Sequence, residues 1–442
     1  MNTERPTIDE PRLINKLALR LMPLVCVLYL VAYIDRANIS FTKLQMLDSL
    51  HLSEVVYGLG ASLFFIGYML FEIPSNVMLH RFGAPKWLAR IMLTWGIVTL
   101  LLAFTQNATM FYILRFLLGA AEAGLYPGVI FYLTLWFPTQ HRLRMLGYFT
   151  VGSSLGNMLG APICGFLLDQ GGWLNLEGWQ LVFVVTGIPP LLLAAVVLLW
   201  LPASPAKAKF LSPDEKQWLV HTLDAEVRDV LSKDKSNLKL SSVFTDKRVI
   251  GLAGLYMMAS ISIYGVSYWL PTVVKGFGVT NTINGLLNIL PWLAATIVLA
   301  WLPSKLRKDN RALMAMLTAA SLGVIFFLGS VFLPDNNWRF LSLCLGAPCM
   351  YLLLPCFWTL PTQFLTGARA AAGIATINSL SNFGGFIAQN LFPWVRSATD
   401  SVKAPMLIPA LCMTVFAVVS FILLVRAKAK AANTLKLQGA AQ

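Results

Sequence analysis

Residues 19–40 read LRLMPLVCVLYLVAYIDRANIS, and the order of residues in that stretch decides the class of the chain. No charge interrupts the run from Leu21 to Ile34, and then Asp35 and Arg36 follow at once. A helix needs roughly 20 mostly apolar residues to cross a bilayer, so this pair falls inside or at the edge of a span. A charge there costs at least ~2.5–3.5 kcal/mol even on lenient insertion scales, so such groups persist where they pair, titrate or meet a charged ligand. Arg115 and Glu122 repeat the situation in a later apolar stretch. Two acids and two arginines are suited to moving an organic anion together with a proton.

Working outward, the chain is 57% hydrophobic and only 12% charged. Twelve apolar segments of spanning length lie near 19–40, 57–79, 87–106, 110–135, 146–168, 179–201, 249–270, 283–303, 312–333, 339–363, 372–395 and 405–425. A β-barrel would show short alternating segments instead. The expected class is therefore an all-α polytopic membrane protein. The net charge of +14 is not spread as a nucleic-acid footprint: with both termini inside, 27 of the 34 Lys and Arg residues fall on cytoplasmic segments. That bias predicts an N-in, C-in orientation and excludes a nucleic-acid partner. Residues 1–18 are polar and the first apolar run ends in Tyr33-Ile34-Asp35-Arg36, so no cleavable signal peptide is expected. All six cysteines fall within spans without metal-ligand spacing and read as packing residues. The four histidines lie outside the spans and no hydrolase or nucleotide-binding motif appears, so neither an enzyme nor a metal or other cofactor is expected.

The segments divide into a cytoplasmic N-terminus (1–18), a six-helix half (19–201), a charged linker (202–247), a second six-helix half (248–426) and a cytoplasmic tail (427–442). In the linker, Ser212-Pro213-Asp214-Glu215 is a capping box with proline at the first helical position. Leu219, Leu223, Val227 and Leu231 then recur every four residues, predicting an amphipathic helix on the membrane surface. An internal repeat supports the two halves. Residues 154–160, SLGNMLG, correspond to 379–385, SLSNFGG, and Pro138-Thr139-Gln140 to Pro361-Thr362-Gln363. Parallel six-helix repeats with a substrate site at their interface are a transporter architecture. Gly152, Gly156 and Gly160 leave a groove along one helix face. Pro74, Pro127, Pro162, Pro291 and Pro355 mark kinks or local unwinding.

Tyr33 to Ser40, Phe71-Glu72-Ile73-Pro74-Ser75-Asn76, Arg115 to Gly124, Phe357 to Thr362 and Asn378 to Gly385 together resemble the anion:cation symporter family of the major facilitator superfamily. The resemblance covers nearly the whole chain. It implies the major facilitator fold, with twelve transmembrane helices in two halves. It also implies a multi-pass carrier of the cell inner membrane that imports a sugar acid, tartrate-like hydroxy acid or aromatic carboxylate with protons, as a monomer in the lipid bilayer. One departure is His80-Arg81-Phe82-Gly83, where the superfamily usually places an acid before Arg-x-Gly.

Arg36 is the expected anchor for the substrate carboxylate, because a guanidinium stays charged and offers a planar fork. Arg115 and Glu122 stand two turns apart on one helix face, about 10 Å along the axis, so each needs a partner elsewhere. The resemblance implies that Arg115 pairs with Asp35 and that Glu122 is a protonation site, with Glu72 a third titrating group or a structural partner. It also implies that Tyr68, Thr359 and Asn382 contact substrate. Ser153 and Asn157 in the first half and Tyr264 in the second are further pocket candidates. Spans seven to twelve hold no ionisable residue at membrane depth, which assigns proton coupling to the first half and recognition of the neutral part of the substrate to the second. The alternative is a proton-antiporting drug or metabolite exporter, which would be expected to carry acids and no arginine toward a cationic drug.

Overall fold

The computed structural model describes residues 8–233, 246–302, 311–361 and 367–439. Among them every regular element is helical. Fifteen α-helices follow in chain order: α1 (Glu10–Ser49), α2 (Glu54–Phe82), α3 (Ala84–Leu102), α4 (Ala108–Glu122), α5 (Leu125–Thr134), α6 (Thr139–Leu168), α7 (Gly178–Trp200), α8 (Pro213–Lys233), α9 (Lys247–Lys275), α10 (Asn281–Leu287), α11 (Ile289–Trp301), α12 (Arg311–Phe332), α13 (Asn336–Phe357), α14 (Gly367–Thr399) and α15 (Leu407–Gly439). Among the described residues eleven stretches are long and apolar enough to cross a membrane, with α4 and α5 counted as one and α10 with most of α11 as another. The expected span at 372–395 folds as α14, whose 33 residues are long enough. Its Asn378, Ser381, Asn382, Gln389 and Asn390 dilute its apolar character, and it is not among the eleven.

The chain forms two compact units. One comprises Met1–Leu50 with Leu63–Leu238; the other comprises His51–Ser62 with Lys239–Gln442. The start of α2 thus clusters with the second unit, where the sequence division placed it in the first half.

In the first unit α1 packs along α6 and α7, and α3 against α7 and α4. The glycine groove predicted on α6 is filled by α1. A Cβ on Gly156 would lie 2.6 Å from the Leu30 carbonyl, and one on Gly152 would lie 2.7 Å from that of Cys26. In the second unit the corresponding helix α14 packs most extensively on the unit's first long helix, α9. There a Cβ on Gly384 would meet the Met257 carbonyl at 2.9 Å. Residues 154–160 and 379–385 therefore sit in equivalent places, each within its own unit, while Thr362 and Gln363 of the other matched block lie outside the described residues.

The linker helix α8 carries the expected capping box: the Ser212 amide donates to Glu215 Oε2 at 2.8 Å, and the Glu215 amide to Ser212 Oγ at 3.2 Å. It docks on the first unit. Leu219 is fully buried, Lys16 Nζ reaches Glu215 at 2.8 Å, and Glu226 accepts from Arg142, from Thr139 Oγ1 and from the Thr139 amide at 2.8–3.0 Å. Burial tends to raise Glu215, but hydrogen bonds from Lys16 and Ser212 outweigh it and hold the carboxyl below its ordinary value. The partners of these acids lie 84 to 199 residues away in sequence, beyond the reach of a local pattern. The side chains of Val227 and Leu231 lie outside the described residues.

Candidate functional site

Asp35 and Arg36 are neighbours on α1, so their side chains leave the helix about 100° apart and face different elements. Asp35, 2% exposed, turns to α3. Its Oδ2 accepts from Trp95 Nε1 at 2.9 Å, and its Oδ1 from Thr99 Oγ1 at 3.1 Å and Asn38 Nδ2 at 3.0 Å. Trp95 and Thr99 are one turn apart on α3, which aligns both donors. Asn38 Nδ2 also contacts Thr186 Oγ1 on α7 at 3.2 Å, so the acid is held by a polar network spanning three helices.

Arg36 faces α4. Its Nε donates to Glu122 Oε1 at 2.9 Å, and its Nη2 makes a second short contact to the same oxygen. The Glu122 side chain is fully buried, and its Oε2 has no hydrogen-bond partner among the described residues. The Arg36 guanidinium lies 5.2, 5.6 and 5.9 Å from the rings of Tyr33, Phe64 and Tyr68, an aromatic collar that favours a cation through ring quadrupoles. Arg115, 4% exposed, approaches Phe64 from its own position on α4, 5.1 Å from the ring centroid.

This geometry corrects the pairing implied by resemblance. The ion pair formed is Arg36–Glu122, while Asp35 takes its hydrogen bonds from the neutral donors Trp95, Thr99 and Asn38. Arg115 remains within electrostatic range of Asp35. The physical reason is angular: α1 directs Arg36 to α4 and Asp35 to α3.

Span four is broken immediately after Glu122. α4 ends there, Ala123 turns out with ψ 130°, Gly124 adopts φ +90°, and α5 resumes at Leu125. Pro127 then sits in the first turn of α5, where an amide N–H is not needed. The freed Ala123 carbonyl accepts from Ser75 Oγ on α2 at 2.6 Å, and Trp87 Nε1 on α3 donates to that hydroxyl at 3.0 Å. A Cβ at Gly124 would collide with Ser75 Oγ, and the left-handed backbone adds about 1–2 kcal/mol for a non-glycine residue. Gly124→Ala is therefore expected to lower the unfolding midpoint of the purified protein by several degrees, roughly as 1–2 kcal/mol does in soluble domains. It should weaken uptake beyond the fall in folded protein. Ser75→Ala, which removes two hydrogen bonds worth about 1 kcal/mol each, should lower the midpoint by a comparable amount.

The other expected residues are dispersed. Tyr68 is nearly buried beside Arg36, and Glu72, one turn on, has no hydrogen bond or ion pair among the described residues. On α6, Ser153 returns its hydroxyl to the Thr150 carbonyl at 2.7 Å, and Asn157 is half-buried. In the second unit Thr359 donates to the Cys356 carbonyl at 2.7 Å, while Tyr264 and Asn382 are half-buried on α9 and α14. Sequence reasoning passed over Trp95, Thr99, Thr186 and the Ser75–Trp87 brace. A visible signal existed for Thr186, a lone mid-span hydroxyl in an otherwise apolar segment. Lys43 is 1% exposed on α1. Among the described residues no group of three or more His, Cys, Asp or Glu is placed to hold a metal ion.

Residues 25–389 match the family profile described as Major Facilitator Superfamily. The chain belongs to the major facilitator superfamily. It is a multi-pass membrane transporter. Among its relatives in this superfamily, a putative tartrate transporter of Agrobacterium vitis is 39% identical over 94% of this chain and 95% of its own length. A quinolone resistance transporter of Acinetobacter baumannii is 38% identical over 97% of this chain and 99% of its own. The superfamily fold is seen again in the crystal structure of a D-xylose-proton symporter, with a TM-score of 0.72 at 17% identity over 91% of this chain and 97% of that one.

Proposed function

We propose that this transporter is a proton-coupled symporter that imports a small organic anion across the inner membrane, with twelve spans and both termini cytoplasmic. The observation that carries the reading is the Arg36–Glu122 pair. Arg36 is a fork suited to a carboxylate, and an internal carboxyl group, that of Glu122, engages it. A substrate anion and Glu122 therefore compete for one guanidinium. Protonation of Glu122, with Oε2 as the open oxygen, neutralises the internal competitor and frees Arg36 for the anion. Deprotonation after release restores the pair and resets the site. Proton and anion thus travel together because neither can occupy its place fully without the other.

Asp35 is assigned a second, supporting charge in this cycle, within range of Arg115 and Glu122 and held by Trp95 and Thr99. Tyr68, Ser153 and Asn157 in the first unit, and Tyr264, Thr359 and Asn382 in the second, are assigned to the uncharged part of the anion. The tartrate relative supports a hydroxylated carboxylate as the substrate class. In proteoliposomes, uptake of labelled tartrate or a sugar acid should rise when the outside is acidified, with protons entering alongside. Uptake indifferent to the pH gradient, for every carboxylate tried, would sink the proposal. A second reading, efflux by proton antiport, is favoured by the quinolone resistance relative. Net expulsion of solute against an inward proton gradient in the same vesicles would establish it.

A further inference from the structure

A groove of about 850 Å³ opens along the first turns of α1, far from the charged site and on the side the charge bias makes cytoplasmic. Arg12, Lys16 and Arg20 line it at intervals of four residues, so they form one stripe with a rise of about 6 Å between successive members. Phe210 of the linker forms the opposite wall, with the Arg20 guanidinium 5.8 Å from its ring. Lys16 is held by Glu215. The side chains of Arg12 and Arg20 have no carboxylate within ion-pair distance among the described residues. Asp9, also at the groove, has an oxygen engaged by the Arg12 amide at 3.1 Å. Leu19, between the basic residues, is 79% exposed.

We propose that this groove binds the phosphate-bearing headgroup of an anionic phospholipid of the inner leaflet. The stripe begins at the apolar span and extends outward from it. Arg20 stands at the hydrocarbon edge, with Lys16 and Arg12 about 6 and 12 Å beyond it, a range that includes the headgroup layer. Two arginines supply charge-assisted hydrogen bonds to phosphate oxygens, with the fork geometry that suits them. The apolar side chain of Leu19 distinguishes this site from one built for a soluble phosphate. It emerges where the first methylenes of an acyl chain would lie. Phe210 belongs to the segment leading into α8, so an occupied groove would tie the linker to α1 through the lipid as well as through Lys16–Glu215.

The test is titration of phosphatidylglycerol into the purified full-length protein in neutral detergent, read by native mass spectrometry. Phosphatidylcholine and inorganic phosphate serve as separate arms. Wild type should retain phosphatidylglycerol in preference to phosphatidylcholine. The double variant Arg12→Gln/Arg20→Gln should bind it roughly 30-fold more weakly, since each basic residue near an anionic lipid surface contributes about 1 kcal/mol. A matched variant, Arg81→Gln/Lys86→Gln, removes the same charge from another loop and should retain the affinity. Both arginines of the groove are exposed, so folding should survive; if the double variant unfolds, Arg12→Gln alone should still weaken binding several-fold. Undiminished lipid affinity in the groove variants would overturn the proposal, as would equal loss in the matched variant. Competition by millimolar inorganic phosphate as effective as that by lipid would reassign the groove to a soluble anion and overturn the lipid assignment.

Discussion

Glu122→Gln is expected to abolish uptake driven by a pH gradient while exchange of labelled for unlabelled anion continues. The amide keeps the size of the acid and can still accept from Arg36, but it cannot take up or release the coupling proton. Its bond to the guanidinium also loses the charge assistance, falling from about 1.5–3 to about 1 kcal/mol. The anion should then win Arg36 more easily. Affinity should rise roughly 2- to 30-fold, and its dependence on pH should flatten. Counterflow in proteoliposomes reads exchange, and accumulation under an imposed gradient reads coupling. Full gradient-driven accumulation by the variant would remove Glu122 from the coupling role.

Arg36→Ala should have the larger effect on transport, a loss of about 100-fold or more in both uptake and exchange. It deletes the anion's anchor and leaves a fully buried carboxylate without its cation, the circumstance in which breaking an ion pair costs about 3–5 kcal/mol. Arg36 is itself 23% exposed at its side chain, so the structural share of that cost should fall toward the lower end. Arg36→Lys should not restore function, because an ammonium offers a point charge where Glu122 and a substrate both engage a planar fork. The double variant Arg36→Ala/Glu122→Gln separates folding from transport: removing both charges should recover much of the thermal stability lost in Arg36→Ala and none of the uptake. Uptake restored along with stability would mean that Arg36 serves the fold rather than the anion.

Sequence reasoning reached the charged residues more easily than their partners. The long apolar run before Asp35 foretells a span, and the α6 glycines foretell a helix packed close enough to touch backbone, which is where α1 lies. The capping box at Ser212–Glu215 is local, and it appears as written. Pairing is not local. Whether Asp35 or Arg36 faces α4 depends on the rotation of α1 about its own axis. That rotation is set by packing against α6 and α7, so Trp95, Thr99 and Thr186 could not be matched to Asp35 from spacing alone. The docking of α8 escaped notice for the same reason. Its amphipathic stripe fits a membrane surface equally well until Lys16 and Arg142 are placed beside Glu215 and Glu226.

The break after Glu122 has a mechanical meaning. An unbroken helix behaves as a stiff rod, so a push at one end reaches the other. Two rods joined at Ala123–Gly124 can tilt separately. α4 is keyed to α2, since Gly67 and Gly119 leave no room for a side chain between the two backbones. α5 is tethered to the linker, because Tyr132 Oη donates to the Pro202 carbonyl at 2.9 Å. Glu122 therefore sits on the segment keyed to α2, next to Arg36, and the joint separates it from the segment tethered to the linker. The two segments can tilt without parting Glu122 from Arg36, and the ion pair then answers to chemistry in the site rather than to strain along the span.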